Sequence, residues 1–322
     1  MISLAVVGTE GSGKTVLTTV LAKRYSIHKP GSPFFEALSK KTLDYVENGW
    51  QALNNGEWPE STALGELPQL QWKVHFGEDL CCELKMSDTA GQDLRELFGT
   101  ERVRDYNTLP KPLKDLTDVV MGADILVVLL NLKDFLGDAD PGRQNETIWT
   151  TKYLLDCIQK SRSQIPPQIA IVLTQIDQYG GILKNHPNLA AVIEAKLPML
   201  YVAHFTNGSV TPFGIASVAT TEVSVNSDQA IGRVPSRPIT SIGLDELMNW
   251  ICTAAESIAN RPDPPPDPQT EVTPESQVPF GYGVFWIAVA IILTAWWLLT
   301  SQGKTEPKPL PIDFNKLLKQ VK

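Results

Sequence analysis

Gly8-Thr9-Glu10-Gly11-Ser12-Gly13-Lys14-Thr15 decides the fold. It follows Ile2-Ser3-Leu4-Ala5-Val6-Val7, an apolar run of strand length, and precedes a helical stretch over residues 15–25. A buried strand that ends in a glycine-rich loop and then opens a helix turns a ring of backbone N–H groups on one spot. The positive end of the helix points there too, so the spot suits a phosphate chain. Glycines let such a loop take φ > 0 and approach its ligand closely. The pattern G-x-x-x-x-G-K-[ST] is complete. Gly8, Glu10, Gly11, Ser12 and Gly13 are therefore candidate cradle residues. Lys14 is placed to reach the outer phosphates, and Thr15 to set a hydroxyl on Mg²⁺.

Outward from the loop, strand-like runs at 70–76, 80–87, 123–131, 169–174 and 213–219 alternate with helical patterns at 34–54, 144–161, 188–197 and 244–260. This alternation predicts an α/β fold over residues 1–260: a three-layer P-loop NTPase domain with a mostly parallel sheet. The run ADILVVLLN at 123–131 is apolar throughout, as in a central strand covered on both faces. Runs 70–76 and 80–87 flank Gly77-Glu78-Asp79 and predict a hairpin. Ser241 or Asp245 is expected to cap the last helix, which stops before Pro262.

Composition sets limits. The 322 residues carry 28 Lys and Arg against 36 Asp and Glu, a net charge of -8. No basic surface signals nucleic acid. Cys81, Cys82, Cys157 and Cys252 have no zinc-site spacing and read as reduced thiols. Cys81 and Cys82, adjacent in a strand, should point to opposite faces. The first apolar run is too short for a secretory leader and runs straight into the loop.

Two further motifs carry chemistry. Asp88-Thr89-Ala90-Gly91-Gln92 closes the strand CCELKMS. A carboxylate there can support Mg²⁺ opposite Thr15, Gly91 lets a backbone N–H meet the γ-phosphate, and Gln92 can orient an attacking water. A loop held by that contact orders with a triphosphate and is released with a diphosphate. Thr174-Gln175-Ile176-Asp177 follows the strand QIAIVL. Asp177 can accept from the N1–H and exocyclic amine of guanine. Adenine lacks that amine and presents an unprotonated N1, so it would leave the carboxylate unpaired.

The loop, DTAGQ and T-Q-x-D, in that order on successive strands, resemble the Ras-like, translation-factor-related class of GTPases over residues 1–260. The DTAGQ stretch is very close to that of Ras, Rab and Arf proteins. The resemblance implies a Ras-like GTPase domain that binds GTP and GDP with Mg²⁺. It implies that Lys14 and the Gly11–Gly13 amides hold phosphate, that Thr15 and Asp88 serve the metal, that Gly91 senses the γ-phosphate, that Gln92 positions water and that Asp177 reads guanine. Thr62, in Gly56-Glu57-Trp58-Pro59-Glu60-Ser61-Thr62, is the expected switch threonine on the metal. Ser217, Val218 and Ala219, with Thr220, are expected to offer backbone N–H groups to the base.

Departures from the pattern matter. Thr174-Gln175 stands where such proteins carry Asn-Lys. The Asn braces the loop and the Lys stem covers the base. Thr takes part of the first task and Gln part of the second. Glu10 fills a position usually held by glycine against an activator's arginine, which implies slow unassisted hydrolysis or a different activator geometry. Arg95, Arg102 and Arg104 are internal cations or, on the balance of the sequence, solvated surface charge. The stretch before Thr62 reads as an inserted amphipathic helix, as in larger bacterial Ras-like GTPases.

The C-terminal part differs in kind. Residues 261–279 hold seven prolines with Asp263, Asp267, Glu271 and Glu275, a stiff acidic linker. Residues 280–300, FGYGVFWIAVAIILTAWWLLT, are uncharged and match a bilayer core at ~1.5 Å rise per residue. Aromatic residues lie near both ends, as interfacial belts do. Residues 301–322 form a short basic tail with Lys304, Lys308, Lys316, Lys319 and Lys322. Charge bias alone would place that tail in the cytosol. A GTP-using domain belongs there, so the expectation is a single-pass tail anchor with the domain facing the cytosol. The leading reading is a membrane-anchored GTP-binding switch that hydrolyses GTP slowly and recruits an effector or activator. The alternatives are a nucleotide-locked, non-hydrolysing membrane scaffold subunit, favoured by Glu10, and an ATPase motor or transporter subunit, disfavoured by Asp177.

Overall fold

The strand Ile125–Asn131 shows how the layers form. Ile125, Val127 and Leu129 face one side of the sheet, Leu126, Val128 and Leu130 the other, and all six are fully buried. A strand buried on both faces needs helices on both. The structure is a computed structural model describing residues 2–60, 69–76, 80–87, 91–99, 106–135, 139–162, 165–179, 188–206, 208, 210–224 and 231–261.

In chain order the elements are β1 (Ile2–Gly8), α1 (Lys14–Arg24), β2 (Phe34–Ala37), α2 (Lys40–Asn54), β3 (Gln69–Phe76), β4 (Leu80–Ser87), α3 (Gly91–Phe98) and α4 (Lys111–Gly122). Then come β5 (Ile125–Asn131), α5 (Pro141–Ser161), β6 (Gln168–Thr174), α6 (Ile176–Tyr179), α7 (Leu189–Lys196) and α8 (Pro198–Leu200), which runs into a π-helical turn at Tyr201–Phe205. The chain continues with β7 (Val210–Ile215), β8 (Thr220–Ser224), β9 (Ile231–Pro235) and α9 (Leu244–Ala259).

The main sheet runs β2-β3-β4-β1-β5-β6-β7. Strands β4, β1, β5, β6 and β7 are parallel, and β3 is antiparallel to both β2 and β4. Helices α1, α2 and α9 pack on one face through Leu17, Leu21, Leu53, Leu247 and Ile251. Helices α3, α4, α5 and α7 cover the other through Leu94, Leu116, Leu154 and Ile193. The α/β class, the mostly parallel sheet, the three layers and the hairpin at 70–87 are as expected.

The helix expected over 34–54 is divided. Phe34–Ala37 is an edge strand, with Phe35 opposite Val74 and its side chain in the core. The helix starts after Ser39, whose hydroxyl accepts from Thr42 N–H at 3.1 Å. A serine at that position favours a helix start over a helix interior. The strand expected at 213–219 ends at Ile215, level with Thr174. Neither Ser241 nor Asp245 caps α9. Ser241 donates to Ser217 O at 2.7 Å, and Asp245 pairs with Arg24 at 2.6 Å and accepts from Tyr25 at 2.9 Å. Burial, with Asp245 adding to it, pushes the Tyr25 pKa up to about 12. Gly243 precedes α9 instead, at φ 74°, and a Cβ there would lie 2.3 Å from Gly214 O.

The side chains of Cys81 and Cys82 lie outside the described residues, while Cys157 and Cys252 are free thiols. Residues 262–322, with the expected linker, span and tail, also lie outside them. Among the described residues no helix is long and apolar enough to cross a membrane.

Candidate functional site

The phosphate loop leaves β1 at Gly8, beside Leu129 of β5. A Cβ on Gly8 would sit 2.5 Å from Ser12 Oγ and 2.6 Å from Leu129 O, so only glycine fits. Gly13 sits before α1 at φ 81°, in the left-handed region, with no side-chain cap on the helix. Gly13 brings no capping side chain of its own to the start of α1, which suits an anion site. Lys14 is buried, and its ammonium donates to Gly8 O at 3.0 Å and Thr9 O at 3.1 Å. Thr9 Oγ1 and Ser12 Oγ are buried and have no partner among the described residues. A buried hydroxyl left unpaired costs about 1–3 kcal/mol. Phosphate oxygens would satisfy both, so the loop fits a phosphate chain. Thr15, half-buried in the first turn of α1, offers a hard oxygen of the kind Mg²⁺ takes.

Outside the loop, three side chains hold two of its carbonyls. Asn131 Nδ2 donates to Gly11 O at 3.1 Å, Gln175 Nε2 to the same oxygen at 3.3 Å, and Arg143 Nη2 to Glu10 O at 3.1 Å. Gln175 does so from φ 64°, a strained region for a non-glycine residue. Thr174, expected to brace the loop, instead donates to Leu130 O at 3.3 Å. Its short hydroxyl is engaged by the neighbouring strand β5. Asn131, directly opposite in the ladder, takes the role. The sequence signal was an asparagine closing an otherwise apolar strand.

Arg143 lies in the first turn of α5, its Nε 2.9 Å from Asp134 Oδ1. Burial raises the Asp134 pKa, against the opposing charges of Arg143, Lys133 and Arg95. The Glu10 side chain is exposed, with Oε2 3.8 Å from Arg95 Nη2, while Arg95 Nε lies 3.1 Å from Glu146 Oε1. Arg95 is therefore a bridge from α3 to both the loop and α5, worth at most about 1 kcal/mol at this exposure. Arg102 and Arg104 lie outside the described residues.

Gly91 opens α3 and Gln92 follows in its first turn. The Gln92 side chain, Asp88 and Thr62 lie outside the described residues. Asp93, which no motif singled out, is buried in that same turn. Burial raises its pKa, Glu96 adds to this, and the charge of Lys14 opposes it.

At the other end of the same sheet edge, Asp177 stands on α6 just past β6. Its Oδ2 accepts from Thr220 N–H at 2.9 Å and Thr220 Oγ1 at 2.8 Å. Its Oδ1 is buried with no partner among the described residues. The stretch expected to offer N–H groups to a base is partly committed. Ala219 N–H donates to Thr240 O at 2.8 Å, and Thr220 N–H is held by Asp177. Val218 packs in the core, and Ser217 is also buried. Thr220 opens the antiparallel hairpin of β8 and β9. That hairpin reaches the stretch before Thr62, where Trp58 Nε1 donates to Arg233 O at 3.0 Å.

No protein-family model matches the sequence, and comparison with curated proteins finds no match. Solved structures give distant likenesses. One is the G domain of the FeoB iron transporter from T. maritima, with 13% identity, 79% of this chain and 99% of that one covered, and a TM-score of 0.34. Another is translation elongation factor SelB from Methanococcus maripaludis in complex with the GTP analogue GppNHp. It shows 13% identity, 81% of this chain and 34% of that one covered, and a TM-score of 0.33.

Proposed function

We propose that this chain binds a guanine nucleotide with Mg²⁺ and hydrolyses GTP slowly to GDP and phosphate, as a membrane-anchored switch that recruits a partner in one nucleotide state. The observation that carries the reading is the pairing of two incompletely satisfied places along one sheet edge. Among the described residues Thr9 Oγ1 and Ser12 Oγ of the loop have no partner, and neither has Asp177 Oδ1. Gln175, two residues before Asp177, touches the loop itself through Gly11 O. A nucleotide satisfies both places at once, with guanine donating to Oδ1 and phosphate accepting from the loop.

In this reading Lys14 neutralises the outer phosphates, and Thr15, Thr62 and Asp88 hold Mg²⁺, which supplies charge neutralisation at the phosphate oxygens. Gln92 orients the water whose oxygen bonds to the γ-phosphorus as the bond to the bridging oxygen breaks. The released proton ends on the phosphate product. Residues 280–300 span the membrane, the domain faces the cytosol, and residues 301–322 lie on the far side.

Asp177→Asn tests the base. It should move preference from guanosine to xanthosine nucleotides, because xanthine presents a carbonyl where guanine has an amine. An unchanged guanosine preference in a fluorescence titration contradicts the assignment. Deleting residues 280–322 should release the protein from membranes with its nucleotide affinity intact. Loss of nucleotide on that deletion contradicts a simple tether.

A nucleotide-locked scaffold is the second reading, and the Glu10–Arg95 pair at the loop favours it. Single-turnover hydrolysis separates the two: Gln92→Leu slows a switch and leaves a scaffold unchanged.

A further inference from the structure

We infer that Arg143, held by the buried carboxylate of Asp134, is a positioning residue of the phosphate loop, setting the Glu10–Gly11 peptide for the outer phosphates and supplying there the positive charge that Gln175 lacks. The inference rests on the nucleotide reading above but not on the choice of base.

The geometry is short and specific. Arg143 Nη2 donates to Glu10 O at 3.1 Å, and its Nε lies 2.9 Å from Asp134 Oδ1. A peptide unit is planar and trans, so its C=O and N–H point in opposite directions. Pulling Glu10 O outward toward α5 therefore turns Gly11 N–H inward, to the concave side of the loop. Gly11 sits at φ 70° and has no side chain of its own to resist or fix that rotation. Asn131 and Gln175 hold the next carbonyl, Gly11 O, so without Arg143 the Glu10–Gly11 peptide keeps a restraint on one side only and the N–H loses part of its aim. Gly11 lies before Gly13 and the start of α1, so its N–H serves the outer part of a phosphate chain rather than the part over the helix.

The placement of the cation is informative in itself. The first turn of a helix is its positive end; at α5 the N-cap Asp140 accepts from Gly142 N–H at 2.9 Å, and no further acidic residue lies in that turn. A cation there is disfavoured by the helix dipole. Asp134 is only 4% exposed and offsets that, holding the guanidinium at the loop. The neighbouring donor from the base-side strand, Gln175, is neutral. A Cβ on Gly11 would lie 3.6 Å from Arg143 Nη2, so the guanidinium is the nearest positive charge on this flank of the loop among the contacts of Gly11.

The test is calorimetric titration of the full chain with GDP, GMP and pyrophosphate, each with Mg²⁺, for the parent, Arg143→Gln, Arg143→Lys and Asp134→Asn. The Arg143 side chain is 44% exposed, so its replacement is tolerated by the fold, and thermal unfolding without nucleotide checks this. Arg143→Gln should weaken GDP and pyrophosphate about tenfold or more, the weight of one charged donor. It should leave GMP within about twofold, because GMP has no outer phosphate. Arg143→Lys should recover part of the GDP affinity, and Asp134→Asn should lose an intermediate share. Equal loss of GMP and GDP would mean general damage to the site and overturns the inference, as does unchanged GDP affinity in Arg143→Gln. A parent that binds ADP as tightly as GDP, with the variants still losing diphosphate, sinks the guanine reading alone. A parent that binds neither GDP nor pyrophosphate overturns both.

Discussion

The two ends of the site are built on different principles. At the proposed phosphate end, recognition would be made largely by backbone. Gly8, Gly11 and Gly13 take conformations or contacts that a side chain would not permit, and eight consecutive residues contain the cradle itself. At the proposed base end, recognition would fall to one side chain, Asp177, and what aims it comes from far along the chain. Thr220 holds its Oδ2, the segment at 216–219 is tied to 240–242, and Gly243 lets α9 begin against Gly214. The first end is local in its backbone cradle and is braced from outside at two carbonyls by Asn131, Gln175 and Arg143. The second is a long-range assembly, sensitive to changes outside the motif that names it.

Substitutions can break this contrast. Lys14→Ala should have the largest effect. Removing the loop's own cation should cut nucleotide affinity at least about a hundredfold whatever the base, since each lost charged hydrogen bond costs ~1.5–3 kcal/mol. Normal GTP binding by that variant in calorimetry would refute the phosphate assignment.

Gly243→Ala should damage the base end from outside its motif. The residue sits at φ 74°, and the new Cβ would press on Gly214 O. Left-handed strain alone costs about 1–3 kcal/mol. The variant should unfold at lower denaturant and lose guanine preference before pyrophosphate binding. Loss of both together would show that the ends are coupled and not independently built.

Thr220→Val should be milder. It removes one of two donors to Asp177 Oδ2 and leaves the backbone N–H in place. Guanine nucleotides should bind about three- to tenfold more weakly, with pyrophosphate unchanged. An identical loss for pyrophosphate would contradict the separation.

The smallest effect lies away from both ends. His204 is buried on the π-helical turn, with Nε2 3.3 Å from Asp156 Oδ1. Burial lowers its pKa from 6.5, with Asp156 opposing and Lys152 assisting. The unfolded chain therefore takes the proton first. Stability from this group is whole above about pH 6.5 and falls as pH drops toward the folded pKa. Thermal unfolding should come at a lower temperature near pH 5.5 than near pH 7.5, and His204→Gln should flatten that difference. Nucleotide affinity should not follow it.

The same contrast explains what could be read in advance. The strand, glycine-rich loop and helix at 2–24 were legible because they are contiguous and the glycines have local reasons. The three layers were legible from runs such as ADILVVLLN, where both alternating faces are apolar. Asp177 was legible as a residue but its partner was not, because Thr220 lies 43 positions on and meets it only through the sheet. Asn131 and Arg143 were missed for the same reason. Each acts on a carbonyl of the loop, and a carbonyl leaves no letter in a motif. The edge strand at Phe34–Ala37 was read as helix because four residues at a sheet margin carry little periodicity of their own, while the helix behind them is long and amphipathic.

The central claim is that one ligand bridges both ends, with its phosphates in the Gly8–Thr15 loop and its base on Asp177 Oδ1. The most direct measurement is a competition titration of the full-length protein with GDP, ADP and pyrophosphate in the presence of Mg²⁺. The account predicts that GDP binds at least about a hundredfold more tightly than ADP, because adenine leaves the buried Oδ1 of Asp177 unpaired. It also predicts that pyrophosphate competes with GDP, because both use the loop. Equal affinity for GDP and ADP, or binding of GDP that pyrophosphate does not displace, would contradict it.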